Sequence, residues 1–307
     1  MSALEWLLLF GVLVTVQAQD VNSYSDSVGR AWWKLQFYSC ASNAEKCIPQ
    51  YNPGWKVLNK ITTQGTSMFG VAQVTLSVNI DQKLLNVAFR GPDLATTFVI
   101  SGLQYLVVTP PLEDFQYGLK VANEYATTFN ALWAAGLRQA INVAWDEYCD
   151  FTLLISGVSV GSCLGQMMTI KMNKDKMWDY DKIQYYGYSA PRCGDQTFAL
   201  TMDASSYVRY RIQYQDYVTT LPWTNPCTTA VYPTMETAQN CYWHCCWALK
   251  YFKTGGFLGI GATTTTNPSR CSQSESTTCT TGYITDTLNH KGFFESWEFP
   301  YFGTLSC

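Results

Sequence analysis

The clearest alternation of hydrophobic and polar positions lies between residues 71 and 91. Residues 71–80, VAQVTLSVNI, partly alternate and are rich in β-branched side chains. The polar pair Asp81-Gln82 separates them from residues 83–91, KLLNVAFRG, which are again mostly apolar. Segments of this kind on both sides of a short polar break are typical of two strands joined by a turn. The pattern therefore predicts two neighbouring strands.

Segments with helical periodicity alternate with short apolar runs in the middle of the chain. After Pro110-Pro111, residues 119–143 have a helical pattern with one apolar face, formed by Val121, Tyr125, Phe129 and Leu132. A second helix is predicted over residues 163–172, and further strands over residues 151–155, 183–188 and 207–214. Alternating strands and helices favour the α/β class, with a mostly parallel central sheet flanked by helices.

The two ends of the chain have different patterns from this middle part. Trp6 to Val16 is apolar and is followed by Val16-Gln17-Ala18, with small residues where a signal peptidase cleaves. We therefore expect residues 1–18 to be a signal peptide, with a retained anchor as the alternative. After Pro222 the periodicity gives way to a Cys-rich C-terminal region, in which residues 255–268 are expected to form a loop. With no clear linker, residues 19–307 are predicted to form a single domain.

Composition narrows the range of partners and the compartment. Hydrophobic residues make up 47% and charged residues 14% of the chain, the formal net charge is −3, and no basic block occurs. This balance argues against nucleic acid as a partner. All twelve cysteines follow Ala18. An even number of cysteines in an exported chain predicts disulfides, so we expect the mature protein to be secreted and extracellular.

A candidate nucleophile lies in residues 153–165, LLISGVSVGSCLG. Gly157 and Gly161 flank Ser159 at the spacing of a nucleophile elbow, which requires a strand, a sharp turn and a helix. Glycine at these two positions lets neighbouring backbone approach the turn closely. The alternative is a glycine-rich turn in which Ser159 only caps the helix.

A nucleophilic serine needs a base and an acid that orients the base. The chain has only two histidines, His244 in CYWHCC and His290 in DTLNHKGFFE, so the base must be one of them. Asp216 directly follows a predicted strand, and a carboxylate there reaches the same sheet edge as the elbow. Asp286 is a weaker candidate for the acid. CYWHCC is also compatible with zinc ligands, although such a cluster in an exported chain favours disulfides.

Five stretches of the sequence together resemble the class 3 lipases, the fungal-lipase-type α/β-hydrolases, and most closely their secreted nematode branch. VAFRGP is similar to the family's strand ending in Phe-Arg-Gly-Thr/Ser, and ISGVSVGSCLG to its Gly-His-Ser-Leu-Gly-Gly elbow. YYGYSAPRCGDQTFA resembles its Gly-X-Pro-Arg-X-Gly-Asp segment, and YRIQYQDYVTTLP the segment that carries its triad aspartate. CSQSESTTC, followed by His290, resembles its disulfide loop and His-X-X-Tyr-Phe.

The resemblance implies an α/β-hydrolase fold with the catalytic triad Ser159, Asp216 and His290. It also implies that the Val160 N–H is one donor of the oxyanion hole. Pro92 stands where the family supplies the other donor, and proline has neither the N–H nor the hydroxyl. Four smaller departures are Val158 for histidine, Ser162 for glycine, Cys163 for alanine and Ser189 for glycine.

The implied function is a secreted serine carboxylic-ester hydrolase, similar to a triacylglycerol lipase and weakened by Pro92. It would act on lipid or small ester substrates, touch a lipid surface transiently, and use no cofactor and no metal. The alternative is a catalytically disabled lipid-binding paralogue of the same fold. The family carries its lid near residues 96–108, where a plain core helix is equally compatible with the sequence.

The resemblance also leads to expectations for the cysteines. Cys271 and Cys279 would close a short loop before His290 and hold the loop of the base. We further expect Cys40, Cys47 and Cys307 to tie the N-terminal segment to the C-terminus. The spacing of the other cysteines does not fix their pairing.

Overall fold

The fold is described from a computed structural model of the chain. The described residues are 23–63, 71–91, 111–213, 217–221, 242–250, 253–254, 263–264, 268–271, 292–293 and 297–298. The predicted signal peptide, the predicted lid and most of residues 255–268 therefore lie outside the described residues. In the part of the chain that is described, no helix combines the length and the hydrophobicity needed to cross a bilayer.

The centre of the molecule is one eight-stranded sheet. Its strands, in spatial order, are β1 (Lys56–Thr63), β2 (Ala72–Asn79), β3 (Leu84–Phe89), β6 (Thr152–Val158), β7 (Ile183–Tyr188), β8 (Val208–Gln213), β9 (Trp247–Lys250) and β12 (Ser269–Cys271). The five strands from β3 to β9 run parallel to one another, whereas β1, β2 and β12 are joined to the sheet by antiparallel pairing. The sheet is mostly parallel, as the alternation of the sequence predicts.

Three small two-stranded sheets lie outside the central sheet. They pair β4 (Leu112–Phe115) with β5 (Leu119–Ala122), β10 (Lys253–Thr254) with β11 (Thr263–Thr264), and β13 (Gly292–Phe293) with β14 (Trp297–Glu298).

Helices cover both faces of the sheet. They are α1 (Asp26–Ser39), α2 (Ala44–Tyr51), α3 (Asn123–Leu132), α4 (Arg138–Tyr148), α5 (Val160–Lys174) and α6 (Gln196–Asp203). α1 and α2 pack against a smaller, aromatic core that includes Trp33 and Tyr188. α3 to α6 pack against the larger core, which includes Phe129, Met167 and Phe198. Apolar side chains on both faces of the parallel strands explain their nearly continuous hydrophobic sequence.

Most predicted elements are confirmed with shifted ends, but the helix predicted over residues 119–143 is wrong in two respects. Its first four residues form β5, which pairs with β4. Its middle contains a π-type turn, Trp133–Leu137, in which Gly136 has φ +126°. A π turn inserts one residue into the helical ladder and shifts the apolar face, and periodicity cannot locate such a shift. Helices α1 and α2 and strand β1 were not predicted.

The described cysteines correct part of the predicted pairing. Cys163 is bonded to Cys193, and Cys245 to its neighbour Cys246. Cys47 is disulfide-bonded as expected, but Cys40 is a free, buried thiol and Cys149 a free, exposed one. The prediction that Cys40 helps to tie the N-terminal segment to the C-terminus is therefore wrong. Cys279 and Cys307 lie outside the described residues. The bond between Cys271 and Cys279 and the link through Cys307 to the N-terminal segment therefore stay predictions.

Candidate active site

Ser159 occupies the sharp turn between β6 and α5. Its backbone has φ +54° and ψ −126°, a combination that non-glycine residues rarely adopt. The residue is 5% exposed, and its side chain makes no capping hydrogen bond to α5. The interpretation of Ser159 as a helix cap is therefore wrong. Strained backbone at a serine between a buried strand and a helix is the geometry of a nucleophile elbow.

The flanking glycines are required because backbone passes very close to them. A Cβ on Gly157 would lie 2.2 Å from the carbonyl oxygen of Gly161. A Cβ on Gly161 would lie 2.5 Å from the carbonyl oxygens of both Phe89 and Arg90. Gly161 thus lets the start of α5 rest directly against the end of β3.

Two further hydrogen-bonding groups hold the elbow. The Ser159 N–H donates to the Tyr188 carbonyl at 2.8 Å. The Ser162 hydroxyl lies 2.8 Å from the Gly157 carbonyl oxygen and 3.1 Å from that of Tyr188. Ser162 stands where the family pattern has glycine. Its hydroxyl contacts two backbone carbonyl oxygens that a glycine side chain could not reach. The departure is compatible with the elbow.

The disulfide between Cys163 and Cys193 connects the first turn of α5 to the segment that follows β7. The sulfur atoms are 2.04 Å apart and the Cα atoms 5.3 Å apart. Sequence reasoning noted Cys163 only as a departure from the alanine of the family pattern. The signal that could have found the bond is that Cys193 also lies within a family segment, YYGYSAPRCGDQTFA, close to the elbow in the fold.

The exit of β7 explains why the family pattern has glycine at position 189. Ser189 has φ +50° and is fully buried, and its N–H donates to the Ile212 carbonyl at 2.8 Å. The left-handed region favours glycine, so the serine here is strained. The chain nevertheless keeps this turn, which carries the backbone towards Cys193.

The exit of β3 is the second wall of the site. A Cβ on Gly91 would lie 2.9 Å from the Val158 carbonyl oxygen and 3.6 Å from the Ser159 Cβ. The segment therefore passes directly beside the serine. Its Gly91 N–H donates to the Sγ of Cys40, the residue that follows α1. Val160 begins α5 directly after Ser159, and Pro92 lies outside the described residues.

Asp216 lies outside the described residues, but the strand before it is described. β8 ends at Gln213, two strands away from β6 in the sheet. Val158 pairs with Tyr188, and Tyr188 with Ile212, so β6 and β8 end at the same edge. Two strand spacings correspond to about 10 Å. The chain thus leaves β8 at the edge that carries Ser159, as the prediction for Asp216 requires.

The two histidines are the candidates for the general base. His290 lies outside the described residues, whereas His244 is 2% exposed and donates to the carbonyl of Thr219. Burial and the guanidinium groups of Arg211 and Arg192 hold the pKa of His244 well below its usual value. An imidazole that resists protonation is a poor general base, because the base must become an imidazolium. These properties favour His290 over His244 as the base.

Metal binding receives no support from the described residues. Within them, no group of three or more His, Cys, Asp or Glu side chains is arranged to hold an ion. The sulfur atoms of Cys245 and Cys246 are bonded to each other. Two of the sulfur ligands that a zinc site in CYWHCC would use are therefore occupied.

The mostly parallel sheet, the flanking helices and the strand–serine–helix turn define the α/β-hydrolase fold. Residues 86–225, slightly less than half of the chain, match the family model described as lipase (class 3). The match contains the end of β3, the elbow and β8, and together with the fold it supports the class 3 lipase family and an ester-hydrolase activity. No curated protein sequence matches the chain.

Solved structures of lipases share this fold at low sequence identity. The chain is similar to a lipase from Rhizopus microsporus var. chinensis, with a TM-score of 0.65 and 15% identity over 88% of this chain and 86% of that one. The chain is similar to lipase II from Rhizopus niveus with a TM-score of 0.66 and 14% identity, over 88% of this chain and 94% of that one. It is also similar to a triacylglycerol lipase whose catalytic centre is a serine protease triad. That match has a TM-score of 0.62 and 14% identity, over 89% of this chain and 96% of that one.

Proposed function

We propose that the protein is a secreted serine carboxylic-ester hydrolase that acts on acylglycerols. Ser159 attacks the ester carbonyl, His290 takes the serine proton and passes it to the leaving alcohol, and Asp216 orients and stabilises the imidazolium. The Val160 N–H binds the oxyanion, together with a second donor after Gly91. The reaction needs no cofactor.

The observation that carries the proposal is the backbone of Ser159. Strain of this kind costs about 1–3 kcal/mol and persists where the surrounding structure enforces it. Here two close glycine contacts and a disulfide one turn away enforce it. The turn lies at the carboxyl edge of the parallel sheet, where open α/β sheets bind their ligands. The substrate class is proposed from the family match and from the similar triacylglycerol lipase.

The test is covalent labelling combined with ester hydrolysis. A fluorophosphonate should modify Ser159 of the mature protein, which peptide mapping can locate, and Ser159→Ala should remove both the label and the hydrolysis of emulsified triacylglycerol. The histidines provide a matched pair. His290→Asn should lose both readouts, whereas His244→Asn, which keeps an amide donor near Thr219, should retain them. The reverse result would assign the base to His244.

The second candidate is a lipid-binding protein that has the fold without the chemistry. Two observations favour it: Pro92 has no N–H to give, and the N–H of the preceding Gly91 is bonded to Cys40. Absence of labelling in a folded protein that still binds mixed triacylglycerol–phospholipid vesicles would support this candidate. Labelling at Ser159 would exclude it.

We also propose secretion through cleavage after Ala18, a single domain over residues 19–307, a transient contact with lipid surfaces, and closest kinship with the nematode branch of the family. Export is supported by the disulfide between Cys163 and Cys193, because such bonds form in oxidising compartments. Expression with the native N-terminus in a eukaryotic host should give a secreted protein whose first residue is Gln19. Retention in the membrane fraction would support an anchor instead.

A further inference from the structure

The amide of Gln36, near the end of α1, joins the two strands that form the site. The residue is fully buried. Its Nε2 donates to the carbonyl of Phe89, the last residue of β3, at 2.9 Å. Its Oε1 accepts from the Ser156 hydroxyl at 2.6 Å. Ser156 lies on β6 three residues before Ser159, so one side chain fixes the end of β3 relative to the strand of the nucleophile.

Cys40, directly after α1, adds a second contact to the same segment. Its Sγ accepts the N–H of Gly91 and also lies 3.2 Å from Nε2 of Gln36. Burial raises the pKa of the Cys40 thiol to about 12, so the group is a neutral thiol at physiological pH. The thiol that the Gly91 N–H contacts is therefore an uncharged acceptor next to α1.

The middle residue of the segment is held by β2. The Arg90 N–H donates to the carbonyl of Gln73 at 2.9 Å, and the Gln73 amide in turn donates to the carbonyl of Ser39 at 2.8 Å. On the opposite side the carbonyls of Phe89 and Arg90 lie against Gly161. All three residues of the segment are thus fixed between α1 and the start of α5.

We propose that Gln36 and Cys40, here called the α1 clamp, are positioning residues that set the path of residues 89–91 beside Ser159. The inference rests on the proposed function, because this segment leads into the position from which the family supplies an oxyanion donor. Neither side chain touches the substrate. A displacement of about 1 Å at such a segment can cost up to about 100-fold in rate, because oxyanion donors act only at the right distance.

The first test compares two buried glutamines. Gln36→Met removes both bonds of the clamp amide with little change in volume. Gln166→Met is the matched control, because Gln166 is 3% exposed on α5 and bonds only the hydroxyl of Tyr185, at 3.2 Å, among the contacts described. We expect Gln36→Met to lower kcat 10- to 100-fold with KM changed less than twofold. Gln166→Met should lower Tm comparably and leave kcat within twofold.

The second test reads the segment directly and does not depend on activity. Hydrogen exchange at the amide of Gly91 should accelerate at least tenfold in Gln36→Met and in Cys40→Ala, but not in Gln166→Met. Cys40→Ser should retain the protection of wild type, because its hydroxyl can accept the same N–H. Serine differs from alanine only by a hydroxyl group, which can accept a hydrogen bond. Rescue by serine but not by alanine therefore separates loss of the hydrogen bond from loss of packing.

Unchanged exchange at Gly91 in Gln36→Met and Cys40→Ala would overturn the proposal, as would equal losses of kcat in the two glutamine variants. If wild-type protein neither hydrolyses esters nor takes the phosphonate label, the proposed function fails. The exchange difference at Gly91 would then still decide whether the α1 clamp sets the path of the segment. The two failures are therefore distinguishable.

Discussion

The exits of β3 and β6 lie side by side, yet their geometry comes from different parts of the chain. The turn after β6 is built from residues within five positions of one another, namely Gly157, Ser159, Gly161 and Ser162. The exit of β7 supports it through the Tyr188 carbonyl and the disulfide of Cys163. The path after β3 is fixed from a distance, by Gln36, 53 residues before Phe89, and by Cys40. A contiguous motif thus supplies the residues of one wall of the site, whereas the other wall takes its path from residues about 50 positions earlier in the chain.

The largest effect is expected from a substitution at Gly161, where the start of α5 contacts the exit of β3. Gly161→Ala would place a Cβ 2.5 Å from two backbone carbonyl oxygens of the β3 exit. Because both contacting groups are backbone, the clash cannot be relieved by turning a side chain. We therefore expect a loss of more than about 4 kcal/mol in the free energy of unfolding, measured by chemical denaturation. Activity should be lost with it.

The control for this substitution is Gly165→Ala, one turn further along α5. The nearest atom to its added Cβ is a ring carbon of Tyr185 at 3.3 Å, which is side chain and can shift slightly. The gain of about 1 kcal/mol in helix propensity offsets the contact, so stability should change by less than about 1 kcal/mol. Equal losses in both variants would show that α5 rejects any added methyl group.

The next effect concerns the disulfide that supports the β6 exit. Cys163→Ser should lower the free energy of unfolding by about 2–5 kcal/mol, the usual loss for a native bond in a secreted domain. The bond ties the first turn of α5 to the segment after β7, so its loss should loosen the turn that holds Ser159. The variant should therefore also lose labelling at Ser159 at temperatures below its Tm. Thermal unfolding followed in parallel with phosphonate labelling would check both points. Retained labelling up to Tm would show that the glycine contacts alone maintain the elbow.

A smaller effect is expected at the β3 exit. Pro92→Thr returns a backbone N–H and a hydroxyl to the position from which the family supplies an oxyanion donor. One such donor is worth about 10²–10³ in kcat, so we expect kcat to rise by up to about 100-fold with KM little changed. Steady-state kinetics on a soluble ester is the measurement. A flat result in a labelled, active enzyme would mean that another N–H already fills the hole.

The smallest effect is expected at the exit of β7, on the side of β6 that faces away from β3. Ser189→Gly removes a residue with φ +50° and restores the glycine of the family pattern. Relief of the left-handed strain should stabilise the protein by about 1 kcal/mol, offset in part by the greater entropy of glycine in the unfolded chain. Chemical denaturation measures the change. A loss of stability would indicate that the buried hydroxyl contributes more than the strain costs.

The same contrast explains what the sequence could reveal. The elbow was predictable because its strand, glycines, serine and helix are contiguous, and β7 was predicted with its observed ends. The path of the β3 exit was not, because no local pattern connects Gln36 to Phe89 or Cys40 to Gly91. Nor could cysteine spacing identify the partner of Cys163. The triad partners Asp216 and His290 stay predictions.

The contacts of Gln36 also have a consequence for synthesis of the chain. Ser156, which bonds its amide oxygen, follows 120 residues later. At about 5–20 residues per second, translation needs roughly 6–24 s to reach that serine after Gln36 has been made. During this interval the apolar side of α1, including Trp33 and Phe37, has no completed sheet to cover it. The nascent helix therefore exposes an apolar surface that chaperones can bind until β6 has been made.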